Sequence, residues 1–256
     1  MHPTPLDEHA QDAFDIRLGW GPWGLQHVAR DADVVVIVDV LSFTTCVEVA
    51  ASRGIDVIPF PWRDDRAAAR AKEVGAVLAT RRGEGSGPSL SPASLSSLPP
   101  GSRLLLPSPN GSELSTKSPA PTTLAGCLRN AKAVAQAAAA RGRKLTVIAS
   151  GEKWPDGSLR PALEDHLGAG AILRHLSGSA SPEAQAAVAL FEGIGDRLPT
   201  FLSSCASGRE LITRGYARDV ELASALDVGT VVPVLRGGMW KRLVRPPAPG
   251  ALPHLG

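Results

Sequence analysis

The sequence predicts an α/β protein, a three-layer α/β/α fold around a mixed, largely parallel sheet. Two observations carry this. Apolar runs alternate with helix-period segments along most of the chain, as expected of a sheet covered by helices on both faces. Residues 34–40, VVVIVDV, are almost continuously β-branched, which fits a strand buried on both sides in the interior of such a sheet. With 256 residues, 43% hydrophobic and 20% charged, the chain can bury a full-sized core, and neither disorder nor a disulfide scaffold fits this composition. One domain over residues 1–240 is expected, with a proline-rich tail over 241–256.

The elements follow in order. FTTCVEVAASRG, from residue 43, reads as a helix closed by Gly54, and IDVIPF as a second strand. An Ala/Arg-rich helix at 64–74 and the short apolar run AVLA precede a change of texture. From Thr80 to Ser102 the density of Gly, Ser and Pro predicts a long insertion without regular structure. RLLLP then reads as a strand, SPNGS as a turn, AKAVAQAAAARG as a helix and LTVIAS as a strand. GEKWPDGSLRP reads as a loop and ALEDHLGAGAILRHL as a helix. Two further helices, near 182–198 and 207–226, and a last strand VVPVL complete the series. Trp20 and Trp23 are expected to pack on the core or an interface.

Charge and cysteine content exclude several functions. Net charge is +2, from 27 basic and 25 acidic residues, so no global field attracts nucleic acid or an acidic membrane. Cys46, Cys127 and Cys205 lack C-x-x-C spacing and suit a reducing compartment. Without an apolar leader or a 20-residue apolar run, the expected location is the cytoplasm. A homodimer is among the assemblies the sequence permits.

In open α/β sheets ligands bind beyond the carboxyl ends of the strands. That rule selects Asp39, which closes the interior strand and is followed by Thr44 and Thr45 at a helix start, where hydroxyls and free N–H groups can hold an oxyanion. The alternative is that Asp39 caps the turn and the hydroxyls satisfy helix-terminal donors. Asn110, Gly111 and Ser112 follow RLLLP and could ligate a metal or phosphate, or simply form a tight turn. Glu164 and Asp165 open a helix with one of the two expected to turn inward, and Gly168 and Gly170 one turn later suggest close approach of backbone or ligand. Glu152, just past LTVIAS, could complete a carboxylate set. Arg81 and Arg82, beside Glu84 in the Gly-rich loop, are candidates to clamp a dianion, with a solvated basic pair as the alternative.

Hard oxygen donors without clustered His or Cys suggest Mg²⁺ rather than Zn²⁺. The six histidines are scattered without ligand spacing. No G-x-G-x-x-G follows the first strand, and neither a G-x-x-x-x-G-K-[ST] loop nor a G-x-S-x-G elbow occurs.

Taken together, DVVVIVDVLSFTT, SPNGS, GCLRNAKAVA, ALEDHLGAGAIL and SGRELITRGYARDVELASALDVGTVVPVL resemble the 2-phosphosulfolactate phosphatase family, in the same order over about 33–235. The resemblance implies an α/β fold that hydrolyses a phosphate monoester with Mg²⁺ and releases sulfolactate, with Asp39, Asn110, Glu164 and Asp165 on family motifs. The family usually has Arg where this chain has Ser42, and its G-E-R-G-G segment is altered here to RRGEGSGPSLSPASL. Arg81 or Arg82 could substitute spatially for the missing arginine. The expectation is therefore a Mg²⁺-dependent phosphatase acting on a small anionic phosphorylated substrate. Asp39, Glu164 and Asp165 would hold metal, Glu84 or Glu152 would act as base, and Thr44, Thr45, Asn110 and the arginines would hold the phosphate. A phosphoacid-binding module that kept the fold and lost the chemistry is the competing reading.

Overall fold

The computed structural model describes residues 9–62 and 64–243. The chain opens with β1 (Ile16–Trp20) and α1 (Gly21–Val28), then the apolar strand β2 (Val34–Val38) and α2 (Phe43–Ser52). Gly54, with φ of +74°, ends α2 as expected, placing its N–H 3.1 Å from the Ala51 carbonyl. Then come β3 (Asp56–Phe60), α3 (Asp65–Glu73), β4 (Val77–Leu78), β5 (Arg103–Pro107), α4 (Gly111–Lys117) and β6 (Thr122–Gly126). Asp64 caps α3 by accepting from the Arg66 N–H at 3.0 Å. The second half comprises α5 (Ala131–Ala139), β7 (Leu145–Ala149), the short strands β8 (Glu152–Lys153) and β9 (Leu159–Arg160), α6 (Leu163–Leu173) and α7 (Pro182–Ile194). It closes with α8 (Leu198–Ser204), α9 (Ala206–Thr213), α10 (Ala217–Ser224), β10 (Pro233–Arg236) and β11 (Met239–Arg242).

Nine strands form one sheet in the order β1-β7-β2-β6-β10-β11-β3-β5-β4. β2 lies parallel between β7 and β6, with Val36 opposite both Val147 and Leu124. Its alternation sorts the core. Val34, Val36 and Val38 pack with residues of α5, α6 and α7, while Val35 and Ile37 pack with Leu25 of α1 and Phe43 and Val47 of α2. All five strand side chains are at most 1% exposed, and burying such a residue contributes about 1.5–3 kcal/mol. The glycines of α6 permit its close seat: an added Cβ at Gly168 would stand 2.6 Å from Val40 Cγ2, and one at Gly170 would stand 2.8 Å from Phe191 Cβ.

The hairpin of β10 and β11 joins two parallel blocks by antiparallel pairing on both sides. The blocks therefore run in opposite senses, and β5 stands five strands from β2, roughly 24 Å along a flat sheet at about 4.8 Å per strand. Yet Asp39 and Gly111, which follow those two strands, meet at 3.1 Å. The sheet accordingly curls, and its concave side holds α2, whose Phe43, Cys46 and Val47 touch the same apolar cluster as Val35 and Leu106. This curvature builds the site.

Several expectations need correction. Residues 80–102 are not structureless. Pro92–Ser97 forms a turn of 3-10 helix, and Leu95 and Leu98 are buried, because apolar side chains spaced within the Ser/Pro stretch can dock on α2. SPNGS does not form an isolated turn but feeds α4 directly. The helix expected at 207–226 is two, α9 and α10, separated at Gly215 with φ of +87°, and α8 precedes them from Leu198. The sequence pattern also does not reveal α1, α4, β1, β6 and β11, and the segment GEKWPDGSLRP, expected as a loop, holds the paired strands β8 and β9. The boundary expected at 240/241 falls inside β11, and the rest of the tail, from 244, lies outside the described residues. Trp20 is half-buried as expected, but Trp23 is 71% exposed and stacks on His27. The nine-stranded sheet with helices on both faces is the three-layer α/β/α arrangement that the sequence predicts.

Candidate active site

Asp39 sits in the turn between β2 and α2 and is 7% exposed. Its Oδ1 accepts from the Phe43 N–H at 2.9 Å, at the start of α2, and its Oδ2 from the Gly111 N–H at 3.1 Å, at the start of α4. One carboxylate thus joins the N-terminal ends of two helices, where partial positive charge favours it. Burial nevertheless pushes its pKa up to about 6, against those two hydrogen bonds, and the charge of Glu164 adds to the rise while that of Arg82 opposes it.

Asp165, in the first turn of α6, acts as a clasp. Its Oδ1 accepts from the Val40 N–H at 2.7 Å and its Oδ2 from the Gly151 N–H at 2.9 Å, tying the turns after β2 and β7. Burial raises its pKa well above the ordinary value, and the charges of Asp39 and Glu164 raise it further. Glu164 beside it is also buried and accepts from the Cys205 thiol at 3.4 Å. Both acids point inward, where only one was expected to, because the turn after β2 covers one and α9's start covers the other.

Glu152 is half-buried at the start of β8, and its Oε2 accepts from the Asn110 side-chain amide at 3.0 Å. Burial, and then the charge of Asp39, push its pKa up to about 7, while the amide pulls the other way. Arg160 faces Glu152 across the β8–β9 pair and donates to the Ser207 hydroxyl at 3.2 Å. Sequence reading missed Arg160, although Trp-Pro-Asp-Gly between the two short strands is a turn signal that could have exposed the hairpin.

Thr44, Thr45 and Ser112 are fully buried. Thr44 Oγ1 donates to the Asp39 carbonyl at 2.8 Å and stands 2.9 Å from the Asp39 N–H as its acceptor. Thr45 donates to the Val40 carbonyl at 2.7 Å and Ser112 to the Leu106 carbonyl at 3.0 Å. These hydroxyls hold the turns that carry the acids, and they do so by donating to carbonyls rather than by satisfying helix-terminal N–H groups.

The two arginines of the Gly-rich loop part company. Arg82 turns inward: its Nη2 donates to the Ser42 hydroxyl at 2.6 Å, and its Nε lies 3.3 Å from Asp219 Oδ2. Arg81 and Glu84 are exposed and face each other at 4.0 Å, and no contact brings either to the buried acids. So the guanidinium reaches Ser42 from the loop, at the position where the resemblance implies an arginine.

Asp39, Glu152, Glu164 and Asp165 are the acids of the site that could meet a cation, Asp39 and Asp165 while each also accepts two main-chain N–H groups. Among the described residues, no three His, Cys, Asp or Glu side chains converge as a ready-made metal cage. No helix there is long and apolar enough to cross a membrane.

Buried carboxylates at strand ends, with an arginine drawn beside them, are the equipment of an enzyme acting on an anionic substrate. Comparison with known proteins narrows that class. Over residues 24–238 the chain matches the family described as 2-phosphosulpholactate phosphatase. A protein named probable 2-phosphosulfolactate phosphatase from Carboxydothermus hydrogenoformans is 32% identical over 207 residues, 78% of this chain and 84% of its own length. Another of that name, from Gloeobacter violaceus, is 32% identical over 134 residues, 52% of this chain and 55% of its own. The chain belongs to the 2-phosphosulpholactate phosphatase family, and so to the phosphoric monoester hydrolases.

Proposed function

We propose that this protein is a Mg²⁺-dependent phosphatase that hydrolyses a small phosphorylated acid of the 2-phosphosulfolactate kind to the hydroxy acid and phosphate. The observation that carries the reading is the grouping of Asp39, Glu152, Glu164 and Asp165 at strand ends, close enough that the charge of Glu164 raises the pKa of each of the other three. So many buried acids without a matching cation are costly, and a divalent ion offsets that cost. The donor set suits Mg²⁺, which retains several waters and takes one or two carboxylates together with substrate phosphate rather than a full protein cage. Asp39 and Glu164 are the residues that would hold it, and Asp165 would fix the turns beside them. When bound, the ion supplies Lewis-acid polarisation of the phosphoryl group.

The chain's own residues supply the rest. Arg82 neutralises phosphate charge from the Ser42 side, and the N–H groups at the starts of α2 and α4 hold Asp39 in place. Glu152, with a pKa of about 7, takes the proton of the attacking water, and the Asn110 amide orients its carboxylate. The water oxygen bonds to phosphorus as the ester P–O bond breaks, the departing alkoxide takes a proton from solvent water, and Glu152 returns the proton it took to solvent.

The test is phosphate release from 2-phosphosulfolactate and related phosphoacids, with and without Mg²⁺. Expected is Mg²⁺-dependent release that Asp39→Asn abolishes. Full activity in that variant, or phosphate binding without turnover under every divalent ion tried, overturns the reading.

A further inference from the structure

We infer that Asp219, on α10, is a positioning residue that holds Arg82 at the phosphate end of the site. The inference rests on the phosphatase reading above. Arg82 lies in a Gly-rich stretch outside any helix or strand, where nothing local orders a side chain that carries about 2 kcal/mol of rotamer entropy. Yet that side chain is 12% exposed and aimed inward.

What orders it comes from far along the chain. Asp219 Oδ2 lies 3.3 Å from Arg82 Nε, while Oδ1 accepts from the Ser91 hydroxyl at 2.6 Å and from the Ala93 N–H at 3.3 Å. Tyr216, one turn before Asp219, places its ring centre 5.4 Å from the Arg82 guanidinium carbon. One carboxylate therefore grips both the arginine and the far end of its loop.

An acid in the first turn of a helix ordinarily faces solvent and the free N–H groups beside it. Asp219 is instead 1% exposed, and its Oδ2 has Arg82 as its neutralising partner without a hydrogen bond to lock the two together. A carboxylate so buried is costly unless paired with charge. Held along its Nε edge by Asp219 and at Nη2 by Ser42, which follows Asp39 in the same turn, the guanidinium stays close enough for its charge to be felt at that carboxylate. A residue that served only the loop would need Ser91 and Ala93 and would have no use for Arg82.

The experiment is a double-mutant cycle on the full chain with Mg²⁺, read by calorimetric binding of inorganic phosphate, by KM and kcat, and by melting temperature. Asp219→Asn retains acceptors for Ser91 and Ala93 and removes the charge. It is expected to weaken phosphate binding about tenfold and to raise KM more than it lowers kcat. In an Arg82→Ala background the same change should cost less than about twofold, because the residue it positions is gone. Ser91→Ala, which loosens the grip and keeps the charge, should weaken phosphate binding in the same non-additive way and serves if Asp219→Asn does not fold. Wild-type phosphate affinity in Asp219→Asn, or an equal loss in both backgrounds, overturns the inference. So does normal phosphate binding by Arg82→Ala, which leaves the phosphatase reading standing. If the unmutated chain neither binds phosphate nor hydrolyses any phosphoacid, both fall.

Discussion

Gly111→Ala tests whether the meeting of α2, α4 and Asp39 sets the geometry of the site. An ideal Cβ at this position would stand 2.7 Å from Phe43 Cγ and 2.8 Å from Asp39 Oδ2, and closer still to Phe43 Cδ1. Ordinary contact needs about 3.5–4.0 Å, so a neighbour must move by roughly 1 Å. Neither yields freely: Phe43 is fully buried, and its N–H and that of Gly111 both bond the carboxylate that would be pushed. Overpacking of this kind costs about 1–3 kcal/mol. For a chain of this size each kcal/mol lowers the melting temperature by about 2–4 °C, so a fall of about 2–12 °C is expected. Displacing Asp39 by about 1 Å should cost on the order of 100-fold in turnover. Gly193→Ala in α7 is the control, since an added Cβ there meets nothing within 4 Å and helix propensity alone should stabilise by up to ~1 kcal/mol. Thermal melts and phosphate release measure both. If Gly111→Ala melts and turns over like the parent, the packing argument for Asp39 is wrong.

Three further outcomes are expected. Because burial raises the Asp39 pKa from 3.8 to about 6, its ionisation favours the unfolded chain: its stabilising contribution is complete below pH 3.8 and lost as pH rises through 6. The melting temperature of Asp39→Asn, measured without divalent ions, should therefore improve relative to the parent between pH 4 and about 7, and a flat difference would contradict the shift. Removing the amide that pulls the Glu152 pKa down, by Asn110→Ala, should move the acidic limb of the kcat/KM profile from about 7 to higher pH, and an unmoved limb would remove Glu152 from the role of base. Arg129 Nε meets Glu48 Oε2 at 2.6 Å, and Glu48 is 1% exposed, so Arg129→Ala should lose about 3–5 kcal/mol in urea denaturation by stranding a buried charge. A loss no larger than that of an exposed ion pair would show that water reaches Glu48.

The parts legible in the sequence are those whose partners lie within a few residues. Asp39 and Thr44 sit five apart, and a strand ending in Asp before hydroxyls and a helix announces their turn. The β-branched run announced β2, and the α6 glycines announced a close approach, which Val40 and Phe191 supply. By contrast, β1 reads IRLGW, with a buried Arg17 that forms an ion pair with Asp31 at 2.6 Å and breaks the apolar pattern. β11 hides behind a Gly-Gly turn and contains two cations. Arg82 and Asp219 lie 137 positions apart by their numbers, and only the curl of the sheet and the docking of the Ser/Pro loop bring them together. No periodicity encodes such a meeting.

The four acids differ in what holds their oxygens, and that difference orders their roles better than their positions in the sequence do. Asp39 and Asp165 each receive two main-chain N–H groups, so turning either carboxylate away would leave buried donors unpaired, at about 1–3 kcal/mol each. They are the rigid members. Glu152 is held by the side-chain amide of Asn110, and Glu164 by a thiol at 3.4 Å, a weak donor. Those two can exchange partners by rotating side chains alone, without opening a turn. Any step that needs an acid to accept a proton or change its partner therefore falls to Glu152 or Glu164, while Asp165 serves by aligning the ends of β2 and β7. Asp165→Asn should accordingly lower the melting temperature as well as the rate, because one of its two main-chain donors loses its acceptor, whereas Glu152→Gln should lower the rate with little change in melting temperature.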